Sequence, residues 1–430
     1  MPLSSFSRIP RKAAHLKAAS RRATLSIGAA CLAVLVAAPV SSQQAASPVA
    51  RYDMDVGTVT GLAAMGGGAG GGMGAGLSMM FGGGGNKQMH ELILRLGSSR
   101  APAAGAPKAD HFMPQVARLG ASVPLLSPKP GVRTDEVPQD LPKDFQRPKG
   151  RLLIYWGCGA KAGPGQPIVI DFARLTAGQV PPDLFAGAIA IDRTVTTSNS
   201  KTYGEWPNAD TRKLVSADSS LLGEHRIAGN YAPEITFALT QDFMPAITGK
   251  ASPIAGGATQ INWNSVTSAT GYYAWVMSAK ANSKSEFQDM VWWSSSATRQ
   301  FGGALWDWIA PAQVARLVQQ QVVMPPSQTS CTVPAEVTAA GGDFALGNLY
   351  AYGPEANFAY PPRPANARTP WKPEWTARVR YRSNSTWLLN GPDIGAMMSG
   401  GEESEAPKKK KKCKGGLGGL LGAVVTGEGC

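Results

Sequence analysis

ATQINWNSVTSATGYYAWVMSAK, residues 258–280, is the stretch that decides the fold class. Ile261 and Trp263 sit two apart, a polar turn with Ala269 follows, and Gly271-Tyr272 opens a second run. A repeat of two is the spacing of a half-buried strand. In YYAWVM, Tyr272, Ala274 and Val276 point one way while Tyr273, Trp275 and Met277 point the other. A strand with one wet face carries polar residues on that face. Here both faces are apolar, so either another element covers the second face or rings stand exposed on it. Trp292-Trp293 repeat the pattern on a neighbouring strand, and Trp306 and Trp308 follow.

Outward from this core the strand signal continues. In HELILRLG, Leu92, Leu94 and Leu96 alternate with Glu91, Ile93 and Arg95. A connection from Ala101 to Pro148 is too rich in proline for long helices. RLLIYWG, the turn-rich GCGAKAGPGQP and IVIDF read as two strands and a loop, with AGAIAIDRTV and YAPEITFAL as further strands. The expectation is an all-β chain of two β-sandwich-like domains, 87–247 and 248–390. The second carries a short helical insertion: Pro311 suits a first helical position, and Val314, Leu317, Val318 and Gln321 share one face. Residues 43–86, glycine-dominated from Gly57 to Gly85, read as a flexible segment. Residues 391–430 read as a disordered tail rich in lysine and glycine. Its apolar part is too short to span a bilayer.

The order of Trp263, the turn and Tyr272 resembles a fibronectin type III or related immunoglobulin-like sandwich over about residues 251–385. QTSCTVP resembles the later strand of that family, with Cys331 in place of its aromatic, and NLYAYGP resembles a further strand. The stretch between Trp293 and Thr329 is longer than the family's connection. The resemblance implies that Trp263 packs beneath Tyr272, and it implies no activity.

Residues 1–42 have the build of a signal peptide: Arg8, Arg11, Lys12, Lys17, Arg21 and Arg22, then an apolar run to Val40, then small residues before Gln43. SRRATLS resembles a twin-arginine motif, so general and twin-arginine export both remain open. The expected location is the periplasm, the outer surface or the medium. The formal net charge is +13. These six cations, with Lys408, Lys409, Lys410, Lys411, Lys412 and Lys414, account for most of it. No basic stripe is left for specific nucleic-acid binding. The tail lysines could attract an anionic surface, or simply be solvated. After signal removal the cysteines are Cys158, Cys331, Cys413 and Cys430, which allow three pairings. Cys413–Cys430 is favoured because those two are close in sequence. Cys158–Cys331 requires the two domains to pack closely.

Catalytic signals are absent from the sequence. There is no GxSxG, HExxH, Walker or calcium-loop motif. His90, His111 and His225 are few candidates for a general base, and the Asp110-His111 neighbours point to opposite faces. GCGAKAGPGQP could cradle a phosphate, but a strand follows it and Pro164 removes a donor, which favours a tight connection. Scattered carboxylates such as Asp171, Glu205 and Glu234 show no spacing that selects a hydrolytic pair. The expected function is a non-enzymatic envelope or extracellular interaction protein without a cofactor or metal. Its partner would be an envelope or extracellular polymer or protein. The alternative is a carbohydrate-binding or carbohydrate-cleaving protein using Tyr273, Trp275, Trp292, Trp293, Trp306 and Trp308 as an exposed platform.

Overall fold

The computed structural model describes residues 47–65, 88–128, 150–176 and 194–389, apart from 209, 212–213, 282–286, 343 and 367–368. In chain order its strands are β1 (Ala50–Gly61), β2 (Gln88–Ser98), β3 (Ala109–Phe112), β4 (Ser122–Pro124), β5 (Arg151–Trp156) and β6 (Ile168–Asp171). They continue with β7 (Thr202–Trp206), β8 (Gly223–Gly229), β9 (Ile235–Leu239), β10 (Gly249–Pro253) and β11 (Thr259–Trp263). The last are β12 (Gly271–Ala281), β13 (Phe287–Ser294), β14 (Ser330–Val333), β15 (Phe344–Tyr360) and β16 (Trp375–Leu388). Short helices are α1 (Leu62–Met65), α2 (Phe172–Thr176), α3 (Pro311–Gln319) and α4 (Ala335–Ala340). The all-β, sandwich-like class is as the alternation predicts.

Among the described residues a nine-stranded sheet runs β6-β5-β13-β12-β15-β16-β1-β2-β7. A four-stranded sheet, β4-β3-β8-β9, and a three-stranded sheet, β10-β11-β14, complete the layers. Tyr52, Met54 and Val56 of β1, with Leu92, Leu94 and Leu96 of β2, meet Val123, Ile227 and Phe237 of the four-stranded sheet in one core. That core continues to Ile261, Trp263 and Val333 of the three-stranded sheet. Trp263 and Tyr272 pack at 5.5 Å between centroids, and the Tyr272 hydroxyl accepts the Val266 amide at 3.0 Å.

Two features depart from the expected layout. The large sheet draws on both the 87–247 and the 248–390 ranges, because β5 pairs in parallel with β13 and the boundary at residue 247 is not a sheet boundary. The 43–86 segment is corrected at its start: Ala50–Gly61 is a buried inner strand, antiparallel to β2 and parallel to β16. Tyr52, Met54 and Val56 alternate with Arg51, Asp53 and Asp55, so this stretch has an apolar face to bury despite its glycine. Most of AGAIAIDRTV, the glycine run from residue 66 and the tail from residue 390 lie outside the described residues. The insertion helix is present as α3, with Pro311 at its start and Val314 and Leu317 buried.

Candidate binding cleft

Of the six rings offered as an exposed platform, five are buried and the sixth, Trp306, is half-buried. Tyr273 and Trp293 have no exposure, and Trp275, Trp292 and Trp308 have 3–6%. Trp306 lies against Trp275 at 5.0 Å and Trp292 at 5.9 Å, in a second core with Leu305, Ile309 and Val314. The inserted segment folds over the second face of the sheet and covers Tyr273, Trp275 and Trp292, which bears out the covered-face reading of that strand and corrects the open platform offered as the alternative. Trp293 points to the other face and its indole donates to Gly157 O at 2.9 Å.

Further along the same sheet the covered face is ionic. Asp55 accepts Arg380 at 2.7 and 2.9 Å and Arg95 at 2.5 Å, with no exposure of its own. Asp53 accepts Arg378 and the Val195 amide, while Glu91 accepts Arg382. Trp308 lies over the Arg382 guanidinium at 3.6 Å. Gly57 admits this arrangement, since a Cβ there would come 2.9 Å from Glu91 Oε2. These charges pair with one another and hold β1, β2 and β16 in register.

His111 and His225 form a closed chain instead of an acid–base site. The Tyr52 hydroxyl lies 2.7 Å from His111 Nδ1, His111 Nε2 lies 2.9 Å from His225 Nδ1, and His225 Nε2 lies 2.7 Å from Leu221 O. A carbonyl only accepts, so His225 Nε2 carries a proton and its Nδ1 accepts from His111; His111 Nδ1 then accepts from Tyr52. Burial pushes His111 well below the ordinary histidine range, with His225 adding to the effect. Burial also lowers His225, against the Leu221 carbonyl and Glu224. Both rings are neutral, saturated and closed to solvent. Asp110 bonds Ser122 and takes no part.

The loop 157–167 borders an open cleft of about 660 Å3, within the usual size of small-ligand pockets. Trp156, Lys161 and Gln166 line one side; Gln321, Met324 and Gln328 line the other. Gly157 (φ 92°) and Gly165 (φ 76°) take left-handed conformations that give the loop its turns. The loop is fixed from several directions. Cys158 is disulfide-bonded to Cys331, with Cα atoms 5.2 Å apart. Gly159 N donates to Thr332 O at 2.9 Å, and Ala162 N donates to Glu336 Oε2 at 2.8 Å. That amide and the nearby Lys161 hold the Glu336 carboxyl below its ordinary range, the backbone bond from Ala162 being the largest cause. A carboxylate of the chain itself thus occupies the amide that a phosphate cradle would offer. The sequence pointed to the loop, but nothing in it brought residues 321–328 alongside. The signal that could have done so is the cysteine pair. Cys413, Cys430 and Lys408 to Lys412 lie outside the described residues.

Compared with protein-family models, with curated proteins and with solved structures, the chain finds no match in any of the three.

Proposed function

We propose that this is an exported, non-enzymatic binding protein of the periplasm, outer surface or medium. The observation that carries the reading is the Cys158–Cys331 disulfide, because such bonds form and persist in oxidising compartments. The basic, apolar and small-residue pattern of residues 1–42 is consistent with the same route. Among the described residues that line the cleft there is no Asp, Glu or His, while acid–base hydrolysis of a glycan uses a pair of carboxyl groups. The layering of β10-β11-β14 against β13-β12-β15-β16 supports a fibronectin type III-like sandwich in the second half, a scaffold compatible with binding. Mass spectrometry of protein from the native host tests export. A mature start near Gln43 together with a Cys158–Cys331 peptide in a non-reducing digest is expected. Intact Met1 on cytosolic, reduced protein would sink the reading.

A further inference from the structure

We infer that the cleft beside the disulfide binds a glycan bearing N-acetyl groups, a proposal that rests on the reading of the protein as a non-hydrolytic binder. The groups around the cleft are amides, an indole and an apolar floor. Gln166 Oε1 accepts the Trp156 amide at 2.8 Å, which leaves its NH2 to donate. Gln328 Nε2 donates to Ser330 O at 2.9 Å, which leaves its carbonyl to accept. One committed carbonyl and one committed amino group therefore leave a complementary donor and acceptor. An acetamido group presents the matching N–H and C=O. Gln321, held at φ 57° just beyond α3, lines the same cleft with a further amide. Val323 and Met324 supply an apolar surface for the acetyl methyl, and half-buried Trp156 supplies a ring for the C–H face of a sugar.

Charge gives little pull on an anionic ligand. Lys161 is the one cation among the described lining residues, and Glu336 lies near enough to feel it. The backbone amide of Ala162 is already taken by that carboxylate. A neutral ligand fits this balance better than a phosphate or uronate. The disulfide and the bonds from Gly157, Gly159 and Ala162 fix one wall in advance, so little ordering entropy opposes binding.

The test is calorimetric titration of the full mature, oxidised chain with tetra-N-acetylchitotetraose and with cellotetraose, which has hydroxyls in place of the acetamido groups. The acetylated sugar should bind at least about ten-fold more tightly. Gln321→Ala, which removes an exposed side chain, should weaken it about three- to ten-fold without changing the melting temperature. Trp156→Ala should weaken it about ten-fold or more, with Trp156→Phe retaining most of the affinity. No binding by exported, oxidised protein, equal affinity for the two sugars, or full affinity in both Gln321→Ala and Trp156→Ala would overturn the cleft assignment and leave the export reading standing. Chromatography of the recovered sugar separates the two ideas: intact tetramer is expected, and shortened products would overturn the non-enzymatic reading itself.

Discussion

His111 and His225 keep their hydrogen-bonded chain only while both rings are neutral, and both are depressed by burial. Unfolded histidine titrates near pH 6.5. Below that pH the unfolded chain binds protons that the folded one refuses, so stability is complete above about pH 6.5 and is lost as pH falls through it. Melting temperature should therefore drop between about pH 7 and pH 5, and His111→Gln should flatten the profile over that window. A profile identical to wild type would refute the assignment. A different residue tests the second-half core. Trp263 is 6% exposed and packs on Tyr272, so Trp263→Ala should cost about 3–5 kcal/mol in denaturant unfolding. That contact was legible because both partners lie within one short stretch, on strands successive in sequence that fall in different, facing sheets. The fate of the other rings was not. Period two says which side of a strand a ring takes, but not which distant segment covers it. For the same reason Trp156 read only as a strand residue.

At the scale of elements, β1 shows how composition can hide a strand. The glycine run beginning near Gly57 pulled the segment towards a linker, although Tyr52, Met54 and Val56 already alternated with Asp53 and Asp55. The arginines that complete the pattern, Arg378 and Arg380, stand 325 residues away and directly opposite in register. No local window joins them. Cross-strand pairing of opposite charges supports this register, and a slip by one residue would turn Asp55 into the apolar core. Asp55→Ala should cost about 3–5 kcal/mol, because it strands Arg95 and Arg380 without their counter-charge in a covered site. Asp218→Ala is the contrast. Asp218 and its partner Arg118 are 73% and 60% exposed, so the change should stay within about 0.5 kcal/mol. Urea unfolding of both variants checks the pair, and equal losses would mean that burial does not decide the worth of these ions.

For the whole molecule the decisive connection is Cys158–Cys331, which links cysteines 173 residues apart in sequence. It joins the loop after β5, an arm of the nine-stranded sheet, to β14 of the three-stranded sheet. The expected tail pairing, Cys413–Cys430, leaves Cys158 and Cys331 as partners of each other, and their bond needs proximity in the fold where sequence gives none. Sheet pairing supplies that proximity, since β5 lies beside β13 and Gly159 N reaches Thr332 O. A loop of this length restricts the unfolded chain by about 5 kcal/mol in the chain-entropy account, and removing a native crosslink commonly costs about 2–5 kcal/mol. The Cys158→Ser, Cys331→Ser double variant should therefore unfold at lower denaturant. Its dependence on denaturant should also be steeper, because the unfolded chain without the crosslink exposes more surface. Two sets of contacts should respond differently in the native state. The Asp55–Arg380 pair belongs to β1 and β16, which the crosslink does not touch, so amides there should keep their hydrogen-exchange protection apart from the global loss. Amides of residues 157–167 should exchange faster than that loss accounts for, since the loop would be held by hydrogen bonds alone, among them those to Ser294, Thr332, Ala335, Glu336 and Trp293. Uniform acceleration across both regions would mean that the crosslink acts only on the unfolded chain and does not hold the cleft wall.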